Sequence, residues 1–273
     1  MNLMSVRRFV RGRIEWDDLE HVVRTVADRY DRETVRAEFL DADNWLSTPL
    51  VIDDELFVKI ISQQNTLVHA LFTTGRNLGA FSSGTEGFFE SFQSPYEMAR
   101  HELESTHAIR ELGLNAPEPI EAFEVGEYGV VVFEYLPEFT TLDAVDPADE
   151  TDIPNDLFAS LATLHEAEMA HGDLRAENVL IFEGELYFID ATSVDASNSA
   201  IQSYDLACGL AALEPLIGPR ATVDAAADSY SVESLLRAVD FLDFVAIRPD
   251  HDFAPSTLKS EIEKRATDSQ RNA

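Results

Sequence analysis

The 273-residue chain carries 51 acidic against 20 basic side chains, a formal net charge of -31, and is 45% apolar, enough to bury a core in one large domain or two lobes. No run approaches the roughly 20 apolar residues of a membrane span, no basic patch offsets the acidic surface as direct nucleic-acid binding requires, and the single cysteine, Cys208, excludes an internal disulfide. Acidic residues are spread over every segment and only three lysines occur, Lys59, Lys259 and Lys264; such a surface repels itself in dilute buffer and is screened where molar salt cuts the Debye length to about 3 Å, so a halophilic, cytoplasmic protein is expected.

Arg7-Arg8 is followed too soon by Arg11 and Arg13 for the apolar core of an export signal to develop. Residues 16–30 place apolar or aromatic side chains at Trp16, Leu19, Val22, Val23, Val26 and Tyr30. That period predicts an amphipathic helix packed on the body of the protein. From Phe39 the pattern turns to short apolar runs at 39–40, 50–52 and 56–61, with Asp53-Asp54 as a turn, and predicts three strands. Lys59 stands inside the third run. Residues 73–92 hold Gly75, Gly79, Gly84 and Gly87 and form no regular element, with Arg76 as a cation that can reach a phosphate.

Ser94-Pro95-Tyr96-Glu97 is a capping box with proline at the first helical position, and Gly113 and Pro117 stop the helix near residue 112. On it Met98, Glu102, Ser105, Ile109 and Leu112 share one stripe, so Glu102 belongs to the apolar face. Glu104, among Arg100, His101, His107 and Ala108, faces water. Residues 120–125 and 130–133 predict a second hairpin that runs into Glu134-Tyr135-Leu136-Pro137, followed by a polar connection over 140–154.

Leu157, Phe158, Leu161 and Leu164 predict a helix that leads to His165 and to the stretch HGDLRAENVLIFEGELYFIDATSVD, residues 171–195. Within it the runs 179–182 and 186–189 join through Glu183-Gly184 as a hairpin, which returns Asp190 beside Asn178. A carboxylate and a carboxamide converging there, with Asp173 five residues before the amide, suit a hard divalent cation and a nearby proton acceptor. His165 and His171 belong to no Cys or His set with zinc spacing, and His171 reads as a structural imidazole satisfied by backbone. Beyond, Cys208 lies in the apolar run 206–213, residues 224–247 read as helix stopping near Pro249, and 256–273 as a polar, frayed end.

In this order and spacing, His171, Asp173, Asn178 and Asp190 resemble the catalytic and metal-binding segments of the protein-kinase-like superfamily, where H-x-D-x-x-x-x-N precedes a hairpin ending in a metal-binding Asp. His171-Gly172-Asp173-Leu174 is most similar to the RIO-type atypical serine/threonine kinases, with likeness to the small kinase partnered with the tRNA threonylcarbamoylation enzyme and to aminoglycoside phosphotransferases. The resemblance covers roughly residues 39–213. It implies an α+β, two-lobed protein-kinase-like fold: an N-terminal helical extension over 1–38, an antiparallel-sheet small lobe over 39–136, a mainly helical large lobe over 137–255 and a polar C-terminal tail over 256–273.

The resemblance also implies ATP and Mg2+ as ligands. Lys59, held by Glu102, would orient the α- and β-phosphates; Ser47 and Thr48 would meet phosphate oxygens where the family's glycine-rich loop is absent; backbone groups of Glu134 and Leu136 would hold adenine. Asn178 and Asp190 would bind magnesium, Asp173 would accept the acceptor's proton, Arg175 would sit near the transferring phosphoryl group, and Asp205 would brace the loop. Gly172 replaces the arginine that pairs with a phosphorylated activation segment, and no Ala-Pro-Glu segment follows, so switching by that route is not expected. The implied activity is ATP-dependent phosphoryl transfer, first as a RIO-like kinase of protein serine or threonine, second to a small-molecule hydroxyl, with an ATP-binding scaffold or slow ATPase as the third reading. Neither nucleic acid nor membrane is an expected partner.

Overall fold

The computed structural model describes residues 14–40, 47–66, 92–145, 152–192, 199–248 and 251–272. Two compact units emerge, one drawn from Met1–Gly75, Glu90–His107 and Pro117–Pro137, the other from Arg76–Phe89, Ala108–Ala116 and Glu138–Ala273.

The first unit is built from helix α1 (Trp16–Arg29), strands β1 (Ala37–Phe39), β2 (Thr48–Ile52) and β3 (Leu56–Ile61), most of helix α2 (Pro95–Glu111), and strands β4 (Pro119–Val125) and β5 (Tyr128–Glu134). The five strands form one antiparallel sheet in the order β1-β2-β3-β5-β4. Alternation along β3 sorts its side chains to two faces. Leu56, Val58 and Ile60 pack with Leu19, Val22 and Val26 of α1, while Phe57 and Ile61 join Met98 and Ala99 of α2. The N-terminal helix thus covers one face of the sheet, and burial together with a hydrogen bond to Asp18 (2.9 Å) pushes the Tyr128 hydroxyl up to about 12.

Strand β1 starts before the apolar run that sequence periodicity detects, because Ala37, Glu38 and Phe39 are all exposed and are held by backbone pairing to Ile52, Val51 and Leu50. On the other face α2 comes very close to β5. A Cβ on Gly129 would lie 2.2 Å from the Pro95 carbonyl oxygen, so only a residue without a side chain lets the start of the helix seat there. The helix begins as its capping box dictates: Ser94 Oγ accepts from the Glu97 N–H (3.1 Å), and the Glu97 carboxylate accepts from the Gln93 N–H (2.7 Å).

The second unit is mainly helical. It contains β6 (Thr140–Thr141), α3 (Ile153–Glu166), the hairpin β7 (Val179–Phe182) and β8 (Glu185–Phe188), and helices α4 (Ser199–Ile217), α5 (Pro219–Ser229), α6 (Val232–Ala246) and α7 (Pro255–Asn272). Strands β6-β7-β8 form a small antiparallel sheet. The core gathers Leu157, Phe158, Leu161 and Leu164 of α3, Val179 and Phe188 of the hairpin, and a nearly continuous buried run of α4. Within that run burial pushes the Cys208 thiol up to about 12, so it stays protonated and inert.

Two expectations change here. The single helix read over 224–247 is broken at Tyr230, because Ser231 accepts from the Ser234 N–H (3.1 Å) and starts a new helix. The stretch read as a frayed tail is helix α7, anchored by the fully buried Leu258 and Ile262 four residues apart; two apolar residues on one face suffice, although the rest of the segment is polar. Taken together, one unit with a five-stranded antiparallel sheet and one mainly helical unit give the α+β class expected from the sequence.

Candidate active site

Lys59 lies at the centre of the first unit's sheet, opposite Pro49 on β2 and Val131 on β5. It is only 4% exposed. An ammonium taken so far from water needs a countercharge, and Glu102 supplies it across 2.6 Å, with the Lys59 ammonium also 5.7 Å from the centre of the Phe57 ring. Glu104, two residues on, points to solvent and meets Arg100 at 3.3 Å. Ser47 and Thr48 lead into β2, with Thr48 paired to Ile60. The Ser47 hydroxyl is buried with no hydrogen-bond partner among the described residues, an acceptor and donor held ready for a polar ligand. At the end of β5 the Glu134 N–H is committed to the Glu118 carbonyl (3.0 Å). That commits the Glu134 donor and leaves its carbonyl, an acceptor, as the backbone group that could receive a ligand's N–H.

In the second unit the loop from His171 to Asn178 is held from α4. Asp205, fully buried, accepts hydrogen bonds from the backbone N–H of His171 (2.8 Å) and of Gly172 (3.0 Å), and lies 3.3 Å from His165 Nε2. Burial works to raise this carboxyl, but the His165 hydrogen bond, the nearby imidazoles and the His171 N–H hold it below the ordinary carboxylate range. His165 passes the contact on, its Nδ1 being 2.8 Å from the Tyr230 hydroxyl. Gly172 takes φ of +80°, a backbone conformation that an arginine would adopt only under strain. Burial holds the His171 imidazole below its usual range and neutral. Its ring packs beside Phe188 and meets the Ile189 backbone, a contact that works against the effect of burial and is of the kind expected for it, although its geometry is short of a regular hydrogen bond.

Asp173, Arg175 and Asn178 converge at the end of that loop. Asn178 Nδ2 donates to the Asp173 carbonyl (2.8 Å), and Arg175 donates to Asn178 Oδ1 (3.2 Å) and to Glu177 (3.1 Å), with its Nε 3.6 Å from Asp173 Oδ2. Asp190 is carried back to the same place by the hairpin, whose two turn residues, Glu183 and Gly184, both have positive φ as a tight turn requires. The Ile189 N–H then donates to the Asn178 carbonyl (3.0 Å), which ties the residue before Asp190 to the residue that follows the loop. Asp190 itself sits at φ of +60°, a conformation that costs a residue with a side chain about 1–3 kcal/mol and that clusters at functional sites.

Sequence reasoning missed two residues here. Arg248, just past the end of α6, donates to Asp173 Oδ1 at 2.8 Å and also to the Tyr204 hydroxyl. Nothing in the local pattern around Arg248 or Tyr204 points to Asp173, which is 75 positions from the arginine. Arg76, expected as a phosphate-facing cation, lies outside the described residues. Among the described residues no group of three or more His, Cys, Asp or Glu side chains could hold a metal ion. An Asn–Asp pair falls below that number, and it suits a cation that takes its remaining ligands from water and phosphate.

Residues 90–204 match the family model of the RIO domain. That span includes Glu102, Asp173, Arg175, Asn178 and Asp190, and leaves Lys59 and Arg248 outside it. Among solved structures, the chain is similar to an aminoglycoside-3'-phosphotransferase of type VIII, at 18% sequence identity and a TM-score of 0.49, over 83% of this chain and 98% of that one. A comparison with curated proteins found no match. Over residues 90–204 the chain is therefore similar to the RIO domain. No helix among the described residues is long and apolar enough to cross a membrane.

Proposed function

We propose that this protein is an ATP-dependent phosphotransferase of RIO-like type that moves the γ-phosphoryl group of ATP to a serine or threonine hydroxyl of a protein acceptor, in a salt-rich cytoplasm. The observation that carries the reading is the convergence of Asp173, Arg175 and Asn178 on one loop, with the hairpin returning Asp190 to that loop through the Ile189–Asn178 hydrogen bond.

Lys59, fixed by Glu102, would hold the α- and β-phosphates, and the Glu134 carbonyl with the Leu136 backbone would receive adenine. Asn178 and Asp190 would hold magnesium; an amide oxygen and a carboxylate fit an ion that keeps several waters and takes phosphate oxygens as its other ligands. When bound, magnesium neutralises charge on the phosphates. Asp173 would accept the acceptor hydroxyl's proton as its oxygen bonds to the γ-phosphorus and the bond to the β-phosphate oxygen breaks, releasing ADP. Arg175 would stand beside the transferring group. Most of the rate then comes from positioning and charge, with no covalent enzyme intermediate.

The test is transfer from labelled ATP by purified protein in molar potassium chloride, alone and with fractionated acceptors. A labelled protein band is the expected result. A labelled metabolite points instead to a small-molecule kinase, and phosphate release alone to an ATPase switch. Asp173→Asn should lower transfer about 10²- to 10⁴-fold while calorimetric ATP affinity stays near wild type. Asp190→Asn should weaken magnesium-dependent ATP binding along with turnover; normal binding would remove the metal assignment.

A further inference from the structure

Asp173 is 4% exposed and sits at the end of a loop. A carboxylate on a loop can turn about two side-chain bonds, yet a general base works only within hydrogen-bond reach and in line with the hydroxyl it serves. Asn178 fixes the Asp173 backbone, through its carbonyl, and Asp205 fixes the two preceding amides. Neither touches the Asp173 carboxylate. Two guanidinium groups do: Arg175, whose Nε lies 3.6 Å from Oδ2, and Arg248, which makes the shorter contact by donating to Oδ1 at 2.8 Å.

Arg248 is itself held. Its other terminal nitrogen donates to the hydroxyl of Tyr204, a fully buried side chain wedged against Phe241 and Phe244 of α6. The guanidinium side chain is only 9% exposed. A planar fork whose two nitrogens are both bonded cannot swing without breaking both contacts. Tyr204 is the neighbour of Asp205 on α4, so one helical turn carries both supports of the loop: Asp205 beneath its backbone, and Tyr204, through Arg248, beneath its carboxylate.

We infer that Arg248 is a positioning residue for phosphoryl transfer, which locks the rotamer of the Asp173 carboxylate through a Tyr204–Arg248–Asp173 chain. The inference rests on the phosphotransferase reading above. Arg248 acts on the rate through Asp173 and makes no contribution to nucleotide binding. It also extends the working part of the molecule past the RIO-matched segment, which ends at residue 204.

The test compares Arg248→Met, Arg248→Lys and Tyr204→Phe, with Arg237→Met as the control, since Arg237 is exposed on α6 and among the described residues pairs locally with Glu233 and Ser234. Misplacement of a reacting group by about 1 Å costs on the order of 10²-fold, so Arg248→Met should lower kcat by about 10- to 100-fold with the KM for ATP within twofold of wild type. Arg248→Lys keeps one charge and one donor and should recover part of the loss, Tyr204→Phe should lose less than Arg248→Met, and Arg237→Met should lose nothing. Added methylguanidinium should raise the rate of Arg248→Ala and leave Arg237→Ala unmoved. Unchanged kcat in Arg248→Met overturns the inference, as does a parallel rise in the KM for ATP with no recovery in Arg248→Lys, which marks a general structural role. Should Arg248→Met fold poorly, the lysine and Tyr204→Phe variants, which keep the charge, decide it alone. Should the wild type transfer no phosphate to any acceptor, the phosphotransferase reading fails by itself. Crystal structures of wild type and Arg248→Lys then test the chain directly, and an unmoved Asp173 carboxylate with Arg248→Lys disengaged overturns it.

Discussion

In the sheet unit the Lys59–Glu102 ion pair is held by two regular elements, a strand whose side chains alternate and a helix whose stripe recurs every three or four residues. In the helical unit Asp173 stands on a loop, and beside the local contacts of Arg175 and Asn178 that loop is held by residues 33 to 75 positions away: Asp205 at the amides, Arg248 at the carboxylate. Charge placed on a regular element is oriented by that element's own hydrogen bonds. Charge placed on a loop needs a second set of polar groups to orient it, and those groups must be buried to be rigid.

Removing a support from each unit sharpens that contrast. The largest effect is expected from Asp205→Ala, which strips two backbone amides and an imidazole of their acceptor in a fully buried place and should cost about 3–5 kcal/mol in denaturant unfolding. Its pH signature follows from the depressed carboxyl. The stability that Asp205 contributes is full above the unfolded carboxylate's value of about 3.9 and is lost as the pH falls through its lower folded value, so the variant should show a flatter acid limb in a Tm-versus-pH series. Glu102→Ala removes one charged hydrogen bond from the Lys59 ammonium, and at about 1.5–3 kcal/mol should cost less, because one contact is lost where Asp205→Ala loses three. An equal or larger cost would break the distinction between the units.

Gly129→Ala tests the sheet unit's packing alone. A Cβ 2.2 Å from the Pro95 carbonyl must push α2 off β5, an overpacking cost of about 1–3 kcal/mol, read as a lower denaturant midpoint and as weaker ATP binding because Glu102 moves with the helix. The smallest effect is expected from Glu104→Ala, an exposed partner of Arg100, which should stay within about 0.5 kcal/mol of wild type and leave transfer unchanged.

What was legible in the sequence follows the same line. Lys59 and Glu102 could be placed because periods of two and 3.6 fix where side chains on strands and helices point, while their pairing was implied by the family resemblance; the choice of Glu102 over Glu104 needed only the stripe through Met98, Ser105 and Ile109. The hairpin that returns Asp190 was readable from Glu183-Gly184 between two apolar runs. Arg248 and Tyr204 were not, because a contact between the end of one helix and a loop far upstream leaves no periodic trace. The same holds for Gly129, whose reason is a backbone from another element lying above it. Strand β1 was read two residues late because Ala37 and Glu38 are exposed and are held by backbone pairing, and α7 escaped notice because two buried residues hold an otherwise polar segment.

The bonds from Asp205 to the amides of His171 and Gly172 also set how that loop moves. Loops ordinarily exchange their amide protons through small local openings, on a scale far below global stability. These two amides donate inward, to a carboxylate with no exposed surface on a helix lodged in the core. They can meet solvent deuterium only when α4 lets go, so in exchange experiments they belong with the slowest protons of the helical unit and not with those of surface turns. A loop that carries chemistry is, in its kinetics, part of the interior.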